Sequence, residues 1–152
     1  MTSNAPATRL DRLAIHTMTN KPWTLAQCVE AYARAGVGGV SVWRNVIEPI
    51  GIAEAARIVR SSGLRVPALV RGGFFVSRDA SKREASHVEN LRCIDEAAAL
   101  GAEMLVLVCG AEVGTPLAEA REQITAGIAR LVEHASKSNV KLAIEPLHPM
   151  YA

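Results

Sequence analysis

A glutamate that closes an apolar run near the end of the sequence is the residue best placed to do chemistry. Residues 140–144 are strand-forming, Glu145 follows them, and Pro146 and Pro149 stop further strand pairing. An acid at the carboxyl end of a buried parallel strand lies at the mouth of an α/β fold, where such folds bind ligands. The alternative is that Glu145 ends a strand and simply turns toward water.

Two histidines are candidates for the same mouth. His148 lies three residues beyond Glu145 and is interpreted either as a hydrogen-bonding partner of substrate hydroxyls or as a loop histidine held between two prolines. His16 ends the first apolar segment, so it either lines the mouth or is a histidine at the edge of the core.

Three further residues close predicted strands. Trp43 is either an apolar wall for a ligand or a core residue, whereas Arg44 and Arg71 either bind a phosphate or carboxylate or are solvated at the surface. The pair Gly72-Gly73 is predicted to form a plain turn, with a close approach of two backbones as the alternative.

Composition sets the class of protein. Of the 152 residues, 49% are hydrophobic, 21% are charged and only 4% are aromatic, which is typical of one soluble domain with helices packed on a parallel sheet. A net charge of +2 without a basic run predicts no nucleic-acid partner. No apolar run approaches the ~20 residues that span a bilayer. Three widely spaced cysteines indicate reduced thiols, and the chain is expected to be cytoplasmic.

Apolar runs and helical stripes alternate along the whole chain. Strands are predicted at residues 12–17, 39–43, 66–71, 104–109 and 140–144. Their centres are 27 to 38 residues apart, which leaves room for a right-handed crossover helix each time, so all five strands should be parallel. Residues 1–152 therefore form a single domain built as a β/α array.

Helix starts and buried faces are also predicted from the sequence. Capping boxes are expected at Thr24 with Gln27 and at Ser81 with Glu84, and Thr115 is expected to cap the last helix. The helix that begins near Ser81 is expected to bury a stripe formed by Val88, Leu91, Ile94 and Ala98.

A parallel array of this size suits either a doubly wound open sheet or part of a barrel. A doubly wound domain places a phosphate loop or an acidic cluster after its first strand. Here residues 16–22 contain neither glycine nor an acid, and the glycines of residues 36–39 precede a strand instead of following one. These features favour a barrel.

Three segments resemble the sugar phosphate isomerase/epimerase family, xylose-isomerase-like TIM barrels that include ketose 3-epimerases and inosose dehydratases. They are residues 13–17 (LAIHT), the helix of residues 122–135 and, most specifically, residues 142–151 (LAIEPLHPMY). The resemblance covers nearly the whole chain. It implies an incomplete TIM barrel, with about five strands and four helices, whereas a complete barrel has eight strands in ~250 residues.

The resemblance also implies a reaction. It implies a divalent cation, Mn²⁺ or Mg²⁺, with Glu145 as a ligand, and proton abstraction next to the carbonyl of a sugar or sugar phosphate. His148, His16, Trp43 and Arg71 would bind the substrate, and His148 could also support the metal site. The family's other ligands lie on strands six to eight, which have no counterpart here.

Two interpretations follow from that departure. In the first, the chain is a fragment or a split product of a metal-dependent isomerase or epimerase, completed by another copy or another chain. In the second, it is an inactive truncated barrel. Because unpaired strand edges are templates for pairing, self-association into a homo-oligomer is expected in either case.

Overall fold

Five strands alternate with four helices in the computed structural model, which describes residues 10–146. A short 3-10 helix at Leu10–Arg12 precedes the first strand, and two more, at Thr17–Asn20 and Arg44–Val46, follow the first and second strands. The elements are β1 (Ala14–His16), α1 (Leu25–Arg34), β2 (Gly39–Trp43), α2 (Ile52–Ser62), β3 (Ala68–Gly73), α3 (Ala80–Leu100), β4 (Met104–Val108), α4 (Leu117–Lys137) and β5 (Lys141–Ile144).

The strands form one sheet in the order β1-β2-β3-β4-β5, and every neighbouring pair is parallel. The prediction of five parallel strands is therefore confirmed. Because each crossover returns the chain to the same end of the sheet, all five carboxyl ends lie along one edge.

The helices form one layer outside the sheet. Each helix packs against the next, from α1 to α4, which places all four on the same face. Side chains on that face, such as Val42, Leu69, Leu105 and Leu107, have no exposed surface. A doubly wound sheet would divide its helices between two faces, so the architecture is the predicted partial TIM barrel.

Helix starts follow the sequence prediction in α1 but not in the other two helices. The Thr24–Gln27 capping box forms as expected. The prediction of a Ser81–Glu84 box was wrong, because Asp79 caps α3 and accepts hydrogen bonds from both the backbone and the hydroxyl of Ser81. These bonds lower the pKa of Asp79, and an ionised acid suits the positive end of the helix dipole.

The start of α4 also differs from the prediction. The cap position is occupied by Pro116, and the helix begins at Leu117. Thr115 is therefore one residue before the cap, and its N–H donates to the carbonyl of Glu112 in the preceding turn. Its buried hydroxyl has no hydrogen-bond partner among the residues that the structure describes.

The buried face of α3 is rotated relative to the predicted stripe. Val88 is 61% exposed and Ala98 is exposed, so that part of the prediction was wrong, while Ile94 is fully buried as expected. The residues that α3 buries are Asn90, Cys93, Ile94, Ala97 and Leu100. With this face turned inward, Asn90 lies against the end of β3.

Asn90 locks α3 to the end of β3. Its Oδ1 accepts a hydrogen bond from Gly73 N–H at 2.6 Å, and its Nδ2 donates to the carbonyl of Gly73 at 2.8 Å. Asn90 is 1% exposed, so no water replaces these bonds. A Cβ on Gly72 would lie 2.5 Å from Asn90 Oδ1, and one on Gly73 would lie 1.9 Å from the carbonyl oxygen of Val108. Gly72-Gly73 is thus a close approach within a strand, and the predicted turn was wrong.

None of the helices within residues 10–146 is long and apolar enough to cross a lipid bilayer. The three cysteines, Cys28, Cys93 and Cys109, are free. Burial raises the pKa of each thiol, to about 11 for Cys93.

We expect Asn90→Ala to lower the free energy of unfolding by about 2 kcal/mol, because it leaves the buried N–H of Gly73 without a partner, although the Gly73 carbonyl still accepts a hydrogen bond from the Ser86 hydroxyl at 2.9 Å. Urea denaturation followed by circular dichroism measures the change. Asn45→Ala is the matched control, since Asn45 is exposed and should change stability by less than about 0.5 kcal/mol. Equal effects of the two substitutions would show that the Asn90 lock contributes nothing.

Candidate functional site

An open cleft of about 430 Å³ lies at the carboxyl ends of the strands. All five strands or the loops that follow them contribute to it. The lining residues are His16, Met18, Thr19, Trp43, Val70, Val106 and Glu145. The structure thus brings together three predicted site residues, His16, Trp43 and Glu145.

Strand register places these side chains on the inner face of the sheet. Trp43 is paired with Val70, and Val70 with Val106, so the three form one row across β2, β3 and β4. Glu145 extends the β4–β5 ladder by one bond, since its N–H donates to the carbonyl of Leu107 at 3.0 Å. Successive residues of a strand point to opposite faces, so Ile144, which pairs with the helix-facing Leu107, lies on the helix side and Glu145 faces the cleft.

A hydrogen bond between Trp43 and His16 fixes the imidazole. Trp43 Nε1 donates to His16 Nδ1 at 3.1 Å. An indole N–H can only donate, so Nδ1 must be the unprotonated nitrogen and the neutral ring carries its proton on Nε2. His16 is exposed, which leaves Nε2–H free to donate to a ligand oxygen in the cleft.

The loop after β1 is tied to its surroundings. The Thr17 hydroxyl, which is 1% exposed, accepts a hydrogen bond from Trp43 N–H at 3.0 Å. The Tyr32 hydroxyl lies 2.8 Å from Asn20 Oδ1 and 3.3 Å from the carbonyl of His16. Burial, together with neighbouring Cys28, raises the pKa of Tyr32 to about 12, so its phenol remains a donor at neutral pH. The hydroxyls of Thr17 and Tyr32 thus hold the loop that carries Met18 and Thr19 in place.

The cleft offers one ligand for a cation but not a complete ligand set. Glu145 supplies hard carboxylate oxygens of the kind that Mg²⁺ and Mn²⁺ prefer, whereas His16 Nδ1 is engaged by Trp43. Across residues 10–146 no group of three or more His, Cys, Asp or Glu side chains is arranged to hold a metal ion. One glutamate suits such an ion but does not hold it alone.

The other candidates have separate positions. His148 lies outside the described residues. Arg71 is exposed at the rim, with its Cζ 4.8 Å from the ring centroid of Phe74 and 6.0 Å from that of Trp43.

Arg44 is neither a cleft residue nor a solvated one, in contrast to both interpretations of the sequence. Its Nε and Nη2 donate to the two carboxylate oxygens of Glu96 at 2.6 and 3.1 Å, and its Nη1 lies 2.7 Å from Glu89. These bonds raise the pKa of Arg44. Burial opposes ionisation of Glu89, but the hydrogen bonds from Arg92 and Arg44 outweigh it and its pKa is lowered. Arg44 therefore anchors the end of β2 to α3.

Sequence reasoning missed four lining residues, which are Met18, Thr19, Val70 and Val106. Val70 and Val106 belong to all-apolar strands, whose inner and outer faces have the same composition. Their faces become distinguishable once the register with Trp43 is known. Cys109 closes β4 without lining the cleft, and burial raises its pKa, as expected for an inert thiol.

Comparison with known proteins settles the family. The model of the xylose isomerase-like TIM barrel family matches residues 29–152. The chain belongs to this family. The structure of protein SMc04130 from Sinorhizobium meliloti 1021 is similar to this chain, with a TM-score of 0.89 at 42% sequence identity over 95% of this chain and 54% of that one.

Two more distant structures share the family fold. A D-psicose 3-epimerase determined in the presence of D-fructose has a TM-score of 0.74 at 18% identity, over 91% of this chain and 53% of its own. The IOLI protein with a bound zinc atom has a TM-score of 0.75 at 16% identity, over 86% of this chain and 50% of its own. The chain thus spans about half the length of these structures. No curated protein sequence matches it significantly.

We expect two-bond ¹H–¹⁵N NMR correlations, recorded under mildly alkaline conditions, to show His16 as the Nε2–H tautomer. Trp43→Phe removes the donor to Nδ1 and should give a mixture of tautomers, while the signals of His134, which is remote from the cleft, stay unchanged. His16→Gln assigns the signals. A wild-type His16 protonated on Nδ1 would contradict the hydrogen-bond assignment.

Proposed function

We propose that the chain forms part of the active site of a metal-dependent sugar or sugar phosphate isomerase or epimerase, which removes a proton next to a carbonyl group. The observation that carries this proposal is the convergence of Glu145, His16 and Trp43 on one cleft at the carboxyl ends of parallel strands. The substrate class and the use of a metal are supported by two structures of similar fold, the D-psicose 3-epimerase determined in the presence of D-fructose and the IOLI protein with a bound zinc atom.

Each residue has a role that its environment allows. A divalent cation, Mn²⁺ or Mg²⁺, would stabilise the negative charge that develops on the substrate oxygen, and Glu145 would be one of its ligands. His16 donates from Nε2 to a substrate hydroxyl. Trp43 offers an apolar face to the sugar ring, since its polar N–H is already engaged. His148, three residues beyond Glu145, binds substrate hydroxyls or supports the metal site.

The proposal requires further ligands from outside the described residues. Glu145 alone does not hold a metal, so a second copy of the chain or another polypeptide segment supplies the rest. We place this activity in the cytoplasm, whose reducing conditions suit three free cysteines.

The edges of the sheet favour a second copy. Within residues 10–146, β1 and β5 are each paired on one side only. Large apolar side chains lie exposed beside both edges, with Leu13 at 45% and Ile144 at 60% exposure. Such edges pair readily with another strand, so we propose a homo-oligomer. The alternative function, an inactive half-barrel that only self-associates, rests on the same edges.

Metal binding distinguishes an enzyme from an inactive half-barrel. We expect the purified 152-residue chain to bind Mn²⁺ stoichiometrically, as measured by electron paramagnetic resonance. With D-fructose and D-fructose 6-phosphate in D₂O, NMR should detect incorporation of deuterium at carbon next to the carbonyl. Glu145→Gln should abolish both signals, because it removes a charged ligand.

Glu103→Gln is the matched control. Glu103 precedes β4, at the opposite end of the sheet, and its side chain is 52% exposed. It should leave metal binding and exchange unchanged. A wild-type chain that binds no Mn²⁺ and exchanges no hydrogen would support the inactive half-barrel instead.

Sedimentation velocity tests association. At micromolar concentration we expect a species of about twice the 16.2 kDa of one chain. Ile144→Lys should shift the protein toward the monomer, because it places a charge beside the unpaired edge of β5. Val132→Lys, on an exposed helical position with 53% exposure, should not. A monomeric wild-type chain would rule out the homo-oligomer.

A further inference from the structure

Arg71 occupies an extra position in β3. Val70 is paired with Val106, and Gly72 is paired with the next residue, Leu107. Between these two pairs β3 advances by two residues and β4 by one, so Arg71 is the extra, unpaired residue of a β-bulge. A bulge of this kind changes the direction of the side chain at the inserted residue. Without it, strand alternation would turn Arg71 toward the helix layer, on the face opposite to Val70. Instead Arg71 is exposed at the rim of the cleft.

Two aromatic rings hold the guanidinium there. Its Cζ is 4.8 Å from the centroid of Phe74 and 6.0 Å from that of Trp43, which itself lines the cleft. A cation over an aromatic face is attracted by the ring quadrupole but keeps its full charge and its N–H donors. No carboxylate within residues 10–146 forms a salt bridge with Arg71. Its charge is therefore fixed in place but not neutralised.

The backbone beneath Arg71 adopts an unfavourable conformation to present Phe74. Phe74 has φ of 58°, a left-handed value that bulky residues rarely adopt. Its N–H donates to the carbonyl of Val108 at 2.7 Å, and the next N–H, of Phe75, donates to Cys109 at 3.0 Å. Phe75 enters the core at 4% exposure, whereas Phe74 remains 48% exposed. The Phe74 ring is thus held outside the core, where it contacts Arg71.

We propose that Arg71 recognises an oxyanion carried by the substrate, a carboxylate or a phosphate, so that the cleft takes anionic sugars in preference to neutral ones. This inference rests on the proposed function and specifies its substrate class. A guanidinium with an open fork of N–H donors matches such a group. The carboxylate of Glu145 lines the same cleft and would repel an anionic substrate. The guanidinium of Arg71 is therefore the group at the rim that would favour an anionic sugar over a neutral one.

The test compares three ligands of similar size, namely D-fructose, D-fructose 6-phosphate and a six-carbon keto sugar acid. Arginine Nε–H and Trp43 indole NMR signals of the 152-residue chain report binding. We expect at least one anionic ligand to bind about tenfold more tightly than D-fructose and to shift the Arg71 signal. The anion that gives the larger preference distinguishes a phosphate from a carboxylate.

Variants separate recognition by Arg71 from a general effect of charge. Arg71→Met should remove the preference, and Phe74→Leu should reduce it, because the guanidinium loses an aromatic contact. Arg121→Met, on an exposed position of α4, changes the net charge equally and should retain the preference. Equal affinity of the wild-type chain for all three ligands, or a preference that survives Arg71→Met, overturns the proposal.

The same titration with Glu145→Gln separates this inference from the proposed function. Binding of an anion by Arg71 needs no turnover, so the preference should persist in that variant. A wild-type chain that shows the preference for an anion but no deuterium exchange would contradict the enzyme alone. Exchange on neutral sugars without any preference would contradict the role of Arg71 alone.

Discussion

Parallel register is the constraint on which the candidate site depends. It aligns Trp43, Val70 and Val106 in one row, and it extends β5 by one hydrogen bond so that Glu145 reaches the same cleft. A slip of one residue in any strand would turn its inward side chains toward the helices, where Val42, Leu69 and their neighbours are fully buried. Because exposing the apolar face that packs on the helices would cost free energy, the register is maintained, and with it the position of the cleft residues on the opposite face.

The crowded end of β3 links this packing to the rim of the cleft. Asn90 and the neighbouring strand β4 leave no space for a side chain at Gly72 or Gly73. With both positions restricted to glycine, the backbone can form a bulge at Arg71 and a left-handed residue at Phe74. Packing between α3 and β3 on the outside of the sheet thus determines which side chains are presented at the mouth.

Much of the fold could be predicted because its signals are local and repeated. Apolar runs at crossover spacing indicate parallel strands, and residues such as His16, Trp43 and Glu145 at the ends of those runs must share one edge. The helix caps at Ser81 and Thr115 failed on local details, whereas other predictions failed because a partner distant in sequence decides the outcome. Gly72-Gly73 suggests a turn until Asn90 is placed against it, and the face of α3 that carries Asn90 inward leaves Val88 exposed. The pattern of apolar residues along a helix cannot reveal that one polar side chain, the amide of Asn90, is buried.

Two arginines near the carboxyl ends of strands, Arg44 just after β2 and Arg71 inside β3, show why residue type and approximate position do not determine a role. Arg44 is compensated by Glu89 and Glu96, acids of α3, and its charge serves to attach β2 to that helix. Arg71 faces aromatic rings, and the guanidinium therefore keeps donors available to a ligand. The two have the same side chain and both lie close to the carboxyl end of a strand, so the difference comes from the partners that tertiary packing provides. The guanidinium of Arg71 is held in position but forms no salt bridge within the described residues, so an anion bound in the adjoining cleft would be its natural partner.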